Sequence, residues 1–230
     1  MRICSDFFVI GQIEMQKGCI IMNYTSTLRR GTAAVLAGAL LLSFAGCADN
    51  QTNEGTDIPM ENLAYGATLR EDTSHDFTIE YDKRFLEQDE LDLLFSYYDS
   101  IQKQDVTEFT SCIVDFYLDY IIENMYGGLL QSDAYLTKVH DAFQTAAGGD
   151  FTFSYLQITD CKDEDSPTSG VDYLKDMFNT LQGEDYWTTH VRDCKALTTK
   201  IAMTSGDKSV DSQDMTVYLV NLDGTLYVCP

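Results

Sequence analysis

Chemistry in this chain of 230 residues would be sought first at its histidines, and there are three: His75, His140 and His190. A general base needs an orienting partner and a pKa near the working pH. His75 lies in a polar, aperiodic stretch and is expected to be solvated. His140 sits beside the apolar face of a predicted helix, where a surface or half-buried imidazole is the plain expectation. His190 falls in a segment read as a strand and alternates there with Trp187 and Val191. It therefore points to the other face and is a candidate base if a pocket lies on that side. Asp115 and Asp119 stand four apart on a predicted helix and border its apolar stripe at Phe116 and Tyr120. Ordinary surface carboxylates do the same, and catalysis would require a raised pKa. Asp160, Asp163, Glu164 and Asp165 crowd one loop without the Asp-x-Asp-x-Asp-Gly spacing and distal Glu of an EF-hand. There is no G-x-S-x-G, no H-E-x-x-H and no phosphate-cradling glycine loop. No catalytic residue, metal site or cofactor is expected on these grounds.

One thiol has its chemistry written around it. Arg29 and Arg30 precede sixteen uncharged residues, mostly small or apolar, and the run ends Phe44-Ala45-Gly46-Cys47. A charged start, a short apolar run and small residues at a cut site make a secretory signal peptide. A membrane span needs roughly 20 apolar residues, and here polar Asn50 to Gly55 follows at once. The stretch resembles the lipobox of bacterial lipoproteins, with Phe44 standing where that family usually has Leu. The resemblance implies that the Cys47 thiol is lipidated and that the chain is cut in front of it. Two or more acyl chains then anchor the protein stably, where one would hold it only marginally. Starting at Met22 gives a signal of 25 residues (22–46), so residues 1–21 read as an over-extended start.

The chain from Cys47 onward has 230 − 46 = 184 residues and carries 11 Lys and Arg against 35 Asp and Glu, a net charge of 11 − 35 = −24. Such a surface repels phosphate backbones, which excludes nucleic acid as the expected partner. It also repels anionic headgroups, keeping a tethered domain off the membrane. Of seven cysteines, Cys112, Cys161, Cys194 and Cys229 remain once Cys47 carries lipid. Four cysteines outside the cytoplasm permit two disulfides in three connectivities, and the spacing selects none. Cys112 lies on an apolar helix face, where a free buried thiol is the competing expectation.

Residues 47–76 are polar and aperiodic and read as a flexible tether, followed by one domain over 77–230. Phe77 to Tyr81 alternates and is either a short strand or packed tether. Helical spacing begins near Asp89, with Asp89 and Asp92 framing a capping-box-like start and Leu91, Leu94, Phe95, Tyr98 and Ile101 on one face. Asp105 caps a second helix running through Phe109, Cys112, Phe116 and Tyr120 to Gly127-Gly128. A third spans Ser132 to Gly148. The period then falls to two over Phe151 to Cys161. A charged loop, a helix from Ser169 to Leu181 and a long strand from Tyr186 to Met203 follow. Val217 to Val220 and Leu226 to Val228 form a hairpin about Asp223-Gly224, which places Val220 near Leu226.

Helices first, then a strand, a helix and antiparallel strands give an α+β order. The helix junction Tyr97-Tyr98-Asp99-Ser100-Ile101-Gln102-Lys103-Gln104-Asp105 and the closing hairpin 217–228 resemble the cystatin-like, nuclear-transport-factor-2-like fold. That resemblance implies N-terminal helices packed on a curved antiparallel sheet, over about residues 89–229. Enzymes of that fold place an Asp or His base in the cone between sheet and helices, for which Asp115, Asp119 and His190 are the pocket candidates here. Tyrosines on both helices and strands could line such a cone or fill it. The expected function is that of an extracytoplasmic lipoprotein, anchored to the bacterial cell membrane through lipidated Cys47. It would serve as a non-catalytic binding or accessory module for an envelope protein or a small ligand. An enzyme of the nuclear-transport-factor-2-like type and a structural spacer or assembly partner of an envelope complex are the alternatives.

Overall fold

Apolar spacing near four over the first half of the domain and near two over the second is realised as helices followed by strands. The computed structural model describes residues 68–230. The signal stretch, Cys47 and the expected tether up to residue 67 lie outside the described residues. Strands β1 (Leu69–Asp72) and β2 (Thr78–Asp82) come first. Helices α1 (Gln88–Lys103), α2 (Val106–Cys112), α3 (Asp115–Tyr126) and α4 (Ser132–Ala147) follow. Then come β3 (Thr152–Asp163), α5 (Val171–Gln182), α6 (Tyr186–His190), β4 (Val191–Ser205), β5 (Lys208–Asp211), β6 (Met215–Leu222) and β7 (Thr225–Cys229). Among the described residues no helix is long and apolar enough to cross a membrane.

The strands form one mixed sheet in the order β1-β2-β3-β4-β6-β7, with β5 paired to β4. The α+β order stands, but the sheet is not wholly antiparallel, because β2 pairs with β3 in parallel. A parallel pair needs a long crossover, and residues 83–151, carrying α1 to α4, supply it. The sheet also begins at Leu69, inside the stretch expected to be tether, since β1 pairs residue by residue with β2.

Local chemistry sets the helix ends. The Glu87 backbone N–H donates to Glu90 Oε2 at 2.8 Å, so the capping contact lies two residues earlier than the expected Asp89 and Asp92. Asp105 accepts from Thr107 and Glu108 N–H at 3.0 and 3.1 Å. The single second helix expected from the sequence is two. Ile113 takes extended angles (φ −117, ψ 145) and bridges in parallel to Val228, with Ile113 and Val114 both buried. Adjacent β-branched residues favour that conformation. Residues 186–190, expected to open the long strand, form a helical turn. There the Trp187 N–H donates to Asn179 Oδ1 at 2.8 Å, and the Thr189 hydroxyl donates to the Asp185 carbonyl at 2.8 Å.

The register divides β4 into two faces. Leu197, Thr199, Ile201 and Met203 share a face with Leu156 and Ile158 of β3 and Val217 and Leu219 of β6. α1 meets this face, with the Tyr98 hydroxyl 3.5 Å from Thr199 Oγ1. Cys194 and Ala196 share the opposite face with Val220 and Tyr218. α5 begins against it: a Cβ on Gly170 would lie 2.5 Å from the Tyr218 hydroxyl. Cys112, Cys161, Cys194 and Cys229 are all free thiols. β6 lies between β4 and β7, so Cys194 and Cys229 are separated by two strand spacings, roughly 9–10 Å. That exceeds the reach of a disulfide, about 7 Å between Cα atoms.

The closing hairpin turns at Asp223-Gly224, with φ 54 and 95 and with Leu222 opposite Thr225. Val220 faces Tyr227 and Leu226 faces Asn221, one residue off the expected pairing. Residues 205–213, in which the sequence marks no strand, hold β5 and open on a tight turn with Gly206 at φ 57. A β-branched residue is strained at either glycine. Gly224→Val is expected to cost about 1–3 kcal/mol, because β7 ends in buried Val228 and Cys229. Gly206→Val should cost clearly less, since β5 is largely exposed and can release the strain by fraying. Thermal melting of the two variants beside the parent chain checks this, and equal losses would contradict it.

Candidate functional site

The interior between α1 and the sheet is filled. Tyr97, Tyr98, Phe109 and Phe153 are all buried there, with Tyr98 and Phe153 edge-to-face at 5.7 Å and Tyr97 and Phe109 stacked at 5.9 Å. Burial pushes the Tyr98 hydroxyl up to about 12, against the pull of Thr199. The tyrosines there build the core. Asp115 and Asp119 are both exposed on α3 and face no such interior.

His190 does have a positioned partner. It ends α6, and its Nδ1 lies 2.8 Å from Asp223 Oδ2 while its ring packs on Tyr186 at 4.5 Å. The Asp223 N–H also donates to the His190 carbonyl at 2.9 Å. The pair is half-exposed on the surface and fastens the β6–β7 turn to α6. The carboxylate that pairs with His190 is thus Asp223 and neither of the two aspartates on α3. His75, expected to be solvated, is half-buried and stacked on Phe95 at 4.1 Å with its Nε2 3.2 Å from Asp92.

A cleft of about 550 Å³ opens where β2 runs into α1, lined by Lys83, Arg84, Phe85, Glu87, Cys161, Asp163 and Lys195. Its size falls within the range of small-molecule sites, roughly 300–1,000 Å³. Two ion pairs build it. Asp82 is fully buried and accepts from Arg84 Nε at 3.0 Å through each oxygen, from Arg84 Nη2 at 2.5 Å and from the Thr68 hydroxyl. Arg84's hydrogen bonds, opposed by burial, hold the Asp82 carboxyl far below the usual carboxylate range. Lys195 Nζ donates to Glu90 Oε1 and Oε2 at 2.7 and 2.8 Å and to the Phe85 carbonyl at 3.1 Å. Burial pulls the Lys195 ammonium down, and the hydrogen bonds and charge of Glu90 outweigh it, so Lys195 ends above its ordinary value. Burial pushes the Cys161 thiol up to about 12, with the Lys195 charge opposing, which leaves it protonated and unreactive at neutral pH. The cleft thus offers fixed cations, an aromatic edge and a thiol held protonated.

The sequence carried one signal for this cleft. Lys83 and Arg84 are the only adjacent basic residues after Cys47, in a chain otherwise dominated by acids. No family model matches the chain, and no curated protein or solved structure does.

The Glu90–Lys195 pair is 7% and 19% exposed at its two side chains. Removing one partner of a buried pair costs about 3–5 kcal/mol, much of it from the charge left behind. Lys195→Met is expected to fall at the low end of that range. Adding Glu90→Gln, which keeps an acceptor for the Glu87 N–H, should recover most of the loss. Urea unfolding of the two single variants and the double variant reads the coupling, and additive losses would contradict it. The depressed Asp82 carboxyl also sets a direction in acid. Its contribution is fully present above the ordinary value of 3.8 and is lost as pH falls through the lowered folded-state value. Asp82→Asn should flatten the acid limb of stability against pH.

Proposed function

We propose that this chain is a lipid-anchored extracytoplasmic lipoprotein of a bacterial cell envelope, whose domain binds a ligand or partner without transforming it. The observation that carries the anchor is the run Arg29 to Cys47: two arginines, sixteen uncharged residues and a cysteine directly after Ala45-Gly46. The polar residues between Cys47 and β1 serve as the spacer. The net charge of −22 for the whole chain favours a domain that stands away from anionic lipid.

Binding without catalysis is supported by the cleft at Lys195, where Arg84 and Lys195 are held in ion pairs, Lys83 lines the wall and the thiol is protonated. An envelope protein's acidic or amphipathic segment, or a small ligand, is the occupant this reading assigns. The enzyme alternative draws support from the His190–Asp223 pair at 2.8 Å, which orients an imidazole as a base requires. That pair lies outside the cleft and outside the filled interior, so the binding reading is preferred. For the fold, the contact of Tyr98 with Thr199 supports a cystatin-like arrangement with α1 laid across one face of the sheet. The parallel β2–β3 pair and α5 against the opposite face are departures from it.

Replacing Cys47 by Ser is expected to leave an uncleaved precursor that takes up no labelled palmitate. Palmitate labelling of that variant at the parent level would overturn the anchor.

A further inference from the structure

We propose that Asp72, His75 and Asp92 bind one divalent transition-metal ion, with zinc the best match, and that the ion fastens the β1–β2 hairpin to α1. This site is separate from the lipid anchor and from the cleft at Lys195. Its three donor atoms come from three places in the fold: the last residue of β1, the β1–β2 connection, and the second turn of α1. One imidazole nitrogen and two carboxylate oxygens all lie within 4.8 Å of one another. Ligands at about 2.0–2.2 Å from a tetrahedral zinc stand roughly 3.3–3.6 Å apart. The His75 Nε2 to Asp92 Oδ1 separation of 3.2 Å is already near that value, and a small closure brings in Asp72.

The side chains are held in place before any ion arrives. The His75 ring stacks on Phe95 with 4.1 Å between centroids and 14° between planes, which turns Nε2 toward Asp92. The Asp72 carboxylate accepts from the Ser74 N–H at 2.8 Å and the Ser74 hydroxyl at 2.6 Å, both at Oδ1, and from Gln88 at Oδ2. Gln88 Nε2 spans the two acids, 2.9 Å from Asp72 Oδ2 and 2.9 Å from Asp92 Oδ1. Both carboxylates thus converge on one imidazole in a strongly acidic chain. Outer hydrogen bonds that fix ligand orientation are the usual support of a metal site.

The donor set chooses the ion. Calcium takes six to eight oxygens, more than two carboxylates give, and no thiolate is present for softer ions. A mixed imidazole and carboxylate set suits zinc, and manganese stands lowest in affinity among the divalent first-row ions. Three protein ligands leave a fourth position for water or an outside donor. β1 is an edge strand paired only with β2, so a bond from the hairpin to α1 secures the entrance to the domain.

The test uses the full chain purified in detergent, stripped with chelator and titrated with zinc, manganese and calcium chlorides. One zinc per chain is expected to bind saturably and to raise the melting temperature. His75→Gln and Asp92→Asn should each weaken binding by at least about tenfold and abolish that rise, while their metal-free melting stays near the parent's. His190→Gln, which removes the His190–Asp223 pair, should leave the titration unchanged. Cobalt in place of zinc should give weak visible bands without thiolate charge transfer. Absence of saturable binding, binding undiminished in His75→Gln, or calcium competing on equal terms would each overturn the proposal.

Discussion

A buried strand must find a partner for every backbone N–H and carbonyl, and β4 carries that demand over 15 residues. It meets it with β3 along one edge and with β6 and then β5 along the other. Both of its faces are occupied as well, by α1 near Thr199 and by α5 near the Cys194 row. Lys195 therefore leaves a backbone fixed on both edges, which is why its ammonium can reach Glu90 and the Phe85 carbonyl together. The cleft depends on the rigidity of β4.

The five residues Lys83 to Glu87 do an unusual share of the organising. They end the hairpin, pin Arg84 to buried Asp82, give the Phe85 carbonyl to Lys195 and cap α1. Both ion pairs are shielded from water and further hydrogen-bonded, by the Thr68 hydroxyl in one case and the Phe85 carbonyl in the other. Buried ions are tolerated when their remaining donors and acceptors are satisfied. An acidic exterior thus surrounds two internal cations whose charge is cancelled locally.

What the sequence disclosed follows the range of the interactions involved. α1, α4, α5 and the closing hairpin were legible, because spacing of three and four, capping residues and an Asp-Gly turn are local. The break at Ile113-Val114 was not, because its cause is a bridge to Val228, 115 residues away. Trp187 and Val191 stand four apart, a separation that lies on one face of a helix and equally on one face of a strand, so the turn at 186–190 was misassigned. β1 is Leu-Arg-Glu-Asp, a charged edge with no apolar alternation to mark it. The cleft hid for the same reason, since Lys195 and Glu90 are 105 residues apart. The Asp223 partner of the candidate base His190 was hidden too, since it lies 33 residues on. The Arg29 to Cys47 run behind the proposed anchor is contiguous, so that proposal needs no fold to be made.

If the chain is exported as proposed, its buried thiols bear on how it reaches its native state in an oxidising compartment. Cys112, Cys194 and Cys229 are shielded only after α2 has docked and β4, β6 and β7 have paired, and β4 pairs with β3 from across α5 and α6. Until then each sulfur is open to any oxidant or neighbouring thiol, and a cross-link between two of them would hold apart strands that must lie side by side. Afterwards burial raises the thiols at Cys194 and Cys229 and leaves almost no thiolate to attack. In that setting maturation would be a race between sheet closure and sulfur oxidation, and a slow-folding variant would be lost to mispairing before it was lost to instability.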